Sequence, residues 1–253
     1  YRSLLCDTEP SLMKENPIIL LLESSTEVCS VAISKGDTVL AINESAEGNR
    51  HSEWMTSYIV KTLEEANLNQ NDLDAIAVSQ GPGSYTGLRV AYSVGKGIAY
   101  ALQLPLIEVN TLESLAVACL EDSKIVEDSI IISMIDARRM EVYQCLYDHN
   151  GRPKGDISAT ILDENQFQSY LTDYDRILIV GNGASKVEKL MLTEDFKSRI
   201  IIQPEILCSA EHLASLALKS FNKSEFSDLA YCVPLYLKSP HITTSTKHLL
   251  VKT

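Results

Sequence analysis

An apolar strand, Ala75-Ile76-Ala77-Val78, runs into a turn punctuated by Gly81, Pro82, Gly83 and Gly87. A long apolar helix follows, then Pro105 and a second strand, Leu106-Ile107-Glu108-Val109. Strand, glycine turn, helix and strand make one βαβ unit, so the chain must build a sheet with parallel neighbours. Ser84 or Thr86 can cap the helix, for about 1 kcal/mol. The turn itself admits two readings. A glycine loop at a helix N-terminus can cradle an anion, or it can be a tight connection in which backbone meets backbone. It matches neither the phosphate-loop pattern ending in Gly-Lys-Ser/Thr nor the dinucleotide fingerprint. Gly95 and Gly97 sit inside the helix, each at a cost of about 1 kcal/mol relative to alanine. Such a cost is tolerated where something must approach the backbone closely, whether the sheet beneath or another helix. Arg89 and Lys96 are the helix's only charges, and a solvated face is the simplest account of both.

The segment before this unit reads as a three-stranded meander. Pro17 leads into Ile18–Leu22, an apolar run suited to burial on both faces. The run breaks at Glu23-Ser24-Ser25-Thr26-Glu27, resumes over Cys29–Ile33, and turns at Gly36-Asp37 into Val39–Ile42. Helical spacing then covers His51–Asn67, with Ser52 as N-cap and a stripe of Trp54, Met55, Tyr58, Ile59, Leu63 and Ala66. A stripe of this kind is ordinarily core. Trp54, Met55 and Tyr58 are also residue types that anchor interfaces. His51, just before the cap, reads as a helix-start contact rather than a metal ligand.

The second half repeats the pattern, though not the letters. Ile130–Ile135 is a buried strand ending at Asp136, Met140–Tyr147 is its hairpin partner, and Arg176–Val180 runs into Gly181-Asn182-Gly183 and a helix. Asp163–Leu171 reads as a short helix and Ser209–Phe221 as a longer one capped by Ser209. A duplicated αβ lobe is the economical account. The expected organisation is an extension over 1–12, a first lobe over 13–112, a second over 113–238 with the helix at 209–222 packing back on the first, and a mobile tail over 239–253.

Net charge is −12. Binding nucleic acid requires Lys and Arg to neutralise phosphates, so direct tRNA binding is not expected and a partner should supply the positive surface. The six cysteines are scattered, without a Cys-x-x-Cys pair, which fits reduced thiols and a cytoplasmic location. No run reaches membrane-span length, and the start lacks a secretory layout. Gly83-Ser84-Tyr85-Thr86-Gly87 places Tyr85 where a serine hydrolase needs its nucleophile. The five histidines are too dispersed for a zinc site. Glu23 and Asp136 end equivalent strands, and facing carboxylates there could hold a Mg²⁺–nucleotide. Neither turn has the Asp-and-Gly layout of an actin-like kinase, so hydrolysis of ATP by this chain alone is not expected.

The run Gly81-Pro82-Gly83-Ser84-Tyr85-Thr86-Gly87-Leu88-Arg89, with Lys96-Gly97, Pro105-Leu106-Ile107 and Val109 to Ala116, resembles the TsaB (YeaZ) family. Arg50-His51-Ser52-Glu53, Asp136 to Tyr143 and Pro234 to Lys238 extend the likeness in the same order. The resemblance implies an α/β, two-lobe actin-like (ASKHA, RNase H-like) duplicated fold. It implies a non-catalytic subunit that activates TsaD, in the complex placing a threonylcarbamoyl group on N6 of the tRNA adenosine beside the anticodon. In TsaD a His-x-x-x-His motif holds the metal; the corresponding positions here are Thr111 and Leu115, which cannot ligate as imidazoles do. No catalytic or metal residue is therefore assigned. The expected partner face comprises His51, Trp54, Met55, Tyr58, Arg89, Tyr92, Gly95 and Lys96. Glu23, Ser24, Ser25, Asp136, Gly181 and Gly183 would be a vestigial nucleotide site, with ATP or ADP contacted only inside the complex. The implied partners are a TsaD homologue, a TsaE-type ATPase, tRNA through the complex alone, and a second copy when the partner is missing. Glu23 stands where many members have Asp, and Lys238 where Arg is common. The rival readings are a metal-dependent peptidase-like protein and an actin-like small-molecule kinase.

Overall fold

The computed structural model describes residues 14–46, 51–120, 125–190 and 198–238. The expected extension, the Met13 start, and the tail from residue 239 lie outside the described residues.

Two five-stranded sheets share one topology. The first runs β3-β2-β1-β4-β5, from β1 Ile18–Glu23, β2 Cys29–Lys35, β3 Thr38–Ser45, β4 Ala75–Gly81 and β5 Leu106–Asn110. The second runs β8-β7-β6-β9-β10, from β6 Ser129–Asp136, β7 Glu141–Asp148, β8 Ser158–Ile161, β9 Arg176–Val180 and β10 Ile200–Gln203. In each, an antiparallel meander is joined on its first strand by parallel strands: Leu22 opposite Val78, and Ile132 opposite Ile179. The duplicated lobe is thus the architecture. β1 and β6 are central and apolar on both faces because both faces are covered.

One face of the first sheet carries α1 (His51–Glu65) and α2 (Tyr85–Leu102); Met55, Ile59, Ala91 and Ala99 pack there with Leu20, Leu22, Ile76 and Val78. The other face carries a 3-10 turn, Ala210–Leu213, and α5 (Ala214–Asn222), through Leu213, Ala214, Ala217 and Phe221. The second sheet is covered by α4 (Glu164–Asp173) and a 3-10 segment, Asn182–Lys189, on one side. On its other side lies α3 (Thr111–Cys119), through Leu112, Leu115, Ala116 and Cys119. α3 follows the first sheet in sequence but completes the core of the second, and α5 does the reverse. That exchange ties the lobes together.

Several local expectations change. Helix α1 begins at His51, so Ser52 lies in its first turn rather than capping it. Of the two candidate caps of α2, Ser84 serves, its Oγ accepting from Gly87 N at 3.2 Å. Ser209 precedes a 3-10 turn and caps nothing with its side chain; its hydroxyl donates to Glu44 at 2.8 Å instead. The helix expected after Gly181 is a 3-10 segment, and α3, β8 and β10 were not anticipated. α3 is set by Asn110, whose Oδ1 accepts from Leu112 N and Glu113 N. A strand residue doubling as a cap gives no break in the apolar pattern.

A strap, residues 227–238, returns from α5 across the end of the first sheet. Ser227 N donates to Leu106 O at 2.8 Å and Leu235 N to Gln80 O at 2.8 Å. Lys238 then pairs with Glu141 of the second lobe.

Candidate functional site

The turn after β1 and the turn before α2 are packed on each other. Ser84 N donates to Ser25 O at 2.6 Å, and Ser24 Oγ donates to Gly87 O at 2.8 Å. A Cβ at Gly83 would overlap the carbonyl of Ser25, and one at Gly87 the carbonyl of Ser24. These glycines are there for close approach of two backbones. The second lobe repeats the device: Gly181 (φ +95°) and Gly183 lie against the backbone of Met134 and Ile135.

The two strand-end acids are not a facing pair. Glu23 is fully buried. Its Oε1 accepts from Ser25 N at 2.5 Å. Among the described residues its Oε2 has no well-formed hydrogen bond; the hydroxyls of Ser25 and Ser79 lie close enough to act on the carboxyl electrostatically without good bonding geometry. Burial pushes its pKa up, more than the neighbouring donors pull it down. The same burial, with Glu23 nearby, pushes the Cys29 thiol up to about 12 and the Cys208 thiol well above its usual value. Asp136 is exposed and already engaged: Lys186 Nζ lies 2.7 Å from its Oδ1, and Arg138 N donates to the same oxygen at 2.6 Å. Asn182 bridges the lobes in front of it, accepting from Asp136 N at 2.9 Å and donating to Glu27 at 2.8 Å. A Mg²⁺–nucleotide held between these carboxylates would require both arrangements to be undone. Among the described residues no group of three or more His, Cys, Asp or Glu is placed to hold a metal.

The outer face of α2 is the other candidate. Arg89 lies over the Tyr85 ring at 3.9 Å and donates from Nε to the Tyr236 hydroxyl at 3.0 Å; the two tyrosine rings are 4.9 Å apart. Lys96 Nζ donates to Cys232 O at 3.1 Å. Neither cation is simply solvated: each fixes the strap to the helix. Between strap and helix runs a shallow groove of about 470 Å³, lined by Arg89, Ser93, Lys96, Val233, Pro234 and Tyr236 among others. Next to it Gly97 has nothing among the described residues within 4 Å of where a Cβ would sit, and Tyr100 is 80% exposed. Tyr231 and Val233 of the strap are also exposed.

Three expected partner-face residues point the other way. Met55 is fully buried in the first lobe's core. Tyr92 is 4% exposed, its hydroxyl bonded to Glu108; burial and that bond raise its pKa. Gly95 faces its own sheet, where a Cβ would lie 2.6 Å from Val78 Cγ1. Trp54 and Tyr58 stack on each other, half-buried against the same core. His51 is half-buried, and its Nε2 has no hydrogen-bond partner among the described residues. Arg89 and Lys96 stay on the surface. Sequence reasoning missed Tyr85, Tyr100 and Tyr236; of these only Tyr100, an aromatic one helical turn from Gly97, carried a local signal.

A second groove of similar size lies where the 3-10 turn at 210–213 meets β3, lined by Glu44, Glu205 and Glu211 among others. Its best-placed polar groups are used internally, with Ser30 and Ser209 both donating to Glu44. No helix among the described residues is long and apolar enough to cross a membrane.

Comparison with known proteins agrees with this geometry. The family model described as "TsaD: tRNA N6-adenosine threonylcarbamoyltransferase" matches residues 43–252. The tRNA threonylcarbamoyladenosine biosynthesis protein TsaB of Haemophilus influenzae is 36% identical over 129 residues, 51% of this chain and 53% of that protein. The TsaB protein of Bacillus subtilis is 28% identical over 227 residues, 87% of this chain and 93% of that one. The structure of YeaZ from Pseudomonas aeruginosa superposes with a TM-score of 0.70 at 28% identity, covering 87% of this chain and all of that one. A family match across most of the chain, TsaB relatives and the shared two-lobed form lead to one conclusion: this chain belongs to the TsaD family, in its TsaB (YeaZ) branch, with the actin-like duplicated fold.

Proposed function

We propose that this chain acts in threonylcarbamoyladenosine biosynthesis on tRNA as a non-catalytic subunit that activates a TsaD homologue. The names of the TsaB relatives support the pathway. The outer face of α2 supports the mode of action, and one observation there carries it. Gly97 weakens the helix by about 1 kcal/mol, yet nothing among the described residues uses the space it leaves. A partner helix approaching that backbone, with Tyr100 and the exposed strap residues beside it, would offset the cost. The pairing should bury on the order of 1,200–2,000 Å². The same face serves a homodimer when the TsaD homologue is missing. A TsaE-type ATPase joins the larger assembly, and any ATP or ADP contact is made there rather than in the first lobe's filled turn. The transfer chemistry belongs to the partner, because Thr111 and Leu115 replace metal-binding imidazoles. The setting is cytoplasmic: among the described residues no disulfide forms, and Cys29, Cys145 and Cys208 are buried thiols.

The test is association and tRNA modification with a purified TsaD homologue, with and without this chain. Gly97→Leu should abolish association and modification while leaving the isolated chain folded and no less stable, since leucine is a better helix former than glycine and the space is open. Trp54→Asp is a poorer probe, since Trp54 also packs on the core. Wild-type association by Gly97→Leu, or turnover by this chain unaided, would end the proposal.

A further inference from the structure

Between β6 and β7 the chain turns through Arg138 (φ +70°) and Arg139 (φ +51°). Consecutive non-glycine residues in the left-handed region are uncommon, and such backbone persists where the surroundings hold it. Here the turn is closed by Ala137 N donating to Glu141 O at 3.0 Å and Glu141 N donating to Arg138 O at 3.2 Å. Asp136 fixes its start by accepting from Arg138 N. Asn and Gly suit this backbone far better than arginine. The side chains, rather than the backbone, must account for two arginines.

Both guanidinia are exposed, and neither makes a hydrogen bond or ion pair among the described residues. The acidic groups around them are committed elsewhere. Asp136 is paired with Lys186, and Glu141 with Lys238. Asp163, beyond the contact of Leu162 N with Met140 O, accepts from its own helix at Asn165 N and Gln166 N. On a chain of net charge −12, this turn is a locally positive point whose carboxylates are neutralised by lysines and whose arginines are left over. Guanidinium forks match phosphate oxygens.

We infer that the Arg138–Arg139 turn contacts backbone phosphates of the tRNA substrate, so this acidic chain supplies part of the RNA-binding surface itself. This rests on the reading that the chain works in tRNA modification. The source is polymer phosphate rather than a nucleotide in the interlobe cleft. Behind the turn, Asn182 bonds Asp136 N and Glu27, and Lys186 takes the Asp136 carboxylate, so an anion meets the guanidinia from outside. A protein partner's carboxylates are the competing occupant. The turn's surroundings favour RNA: the exposed large apolar side chain beside it among the described residues is Ile161, opposite Glu141, and a single aliphatic residue does not make an interface core.

The experiment pairs Arg138→Asn with Arg139→Gly, a change that suits the backbone while removing both charges. Binding of labelled tRNA is followed by anisotropy from about 50 to 200 mM salt, for this chain alone and with the TsaD homologue. The variant should unfold at the same or higher denaturant concentration and associate with the TsaD homologue as the wild type does. Its tRNA affinity should fall about tenfold, and its salt slope should drop by roughly 1 to 2. Wild-type affinity and slope in the variant overturn the inference. So does a loss of partner association with tRNA affinity intact, which assigns the arginines to protein carboxylates. Reversal of tRNA binding by free ATP assigns them to a nucleotide and also overturns it. If the TsaD homologue fails to associate even with wild type, the proposed function falls; the tRNA comparison on the chain alone still decides the turn, with absent or equal binding counting against it.

Discussion

The two lobes solve one backbone problem identically and then put the result to different use. In each, the end of the central strand is overlaid by the glycine turn of the neighbouring parallel strand: Ser24 and Ser25, just past β1, under Gly83 and Gly87, and Met134 and Ile135, still within β6, under Gly181 and Gly183. In the first lobe the glycine turn launches an eighteen-residue helix with an open outer face. In the second it launches a 3-10 segment that folds onto its sheet, with Lys186 reaching back to Asp136 and to Glu141 O at 2.7 Å each. The acids at the two strand ends diverge in step, Glu23 sealed and Asp136 exposed and paired. Duplication fixed the frame. Specialisation lies in what each lobe leaves at its surface, an apolar helix face on one and a charged turn on the other.

The harshest way to break this comparison is to fill the shared contact. Gly87→Ala and Gly181→Ala should each cost about 3 kcal/mol, since a Cβ must displace a carbonyl in both, and Gly181 also needs its positive φ. Urea midpoints would check this; tolerance at either site would deny the equivalence of the turns.

Removing the strand-end acids should separate the lobes. Asp136→Asn leaves the nearly buried Lys186 ammonium without its carboxylate and should cost about 2 kcal/mol, less than a fully buried pair because Asp136 is itself exposed. Glu23→Gln should cost little at neutral pH. The folded chain holds the Glu23 proton more tightly than the unfolded chain does. Wild-type stability is therefore lost as pH rises from the ordinary carboxylate value through the raised one, while the glutamine variant lacks that loss. Denaturation across pH 4 to 8 would show it, and an unchanged slope in Glu23→Gln would mean another group titrates.

The smallest effect sharpens the reading of α2. Gly97→Ala should stabilise the isolated chain by up to about 1 kcal/mol, because the space is open. Gly95→Ala should destabilise it, because Val78 must move. Thermal melts of the pair would reveal equal signs if both glycines faced the same way.

Much of this was legible from local pattern. Buried strands announce themselves as apolar runs, glycine turns as breaks, and the order of the two repeats in turn. The direction in which a residue faces is less accessible: the stripe on α1 read equally as core or partner surface, and its packing against Leu22, Ile76 and Val78 made it core. Gly95 and Gly97 look alike in sequence and lie about 200° apart around the helix, one toward the sheet and one away.

By itself the sequence determined the duplicated strand–turn–helix order and the burial of β1 and β6, because these depend on near neighbours and residue chemistry. Only the tertiary structure decided the exchange of α3 and α5 between lobes, the sealing of Glu23, and the docking of Tyr236 on Arg89 from 147 residues away. Those depend on which distant segments come together, and no local period encodes that meeting.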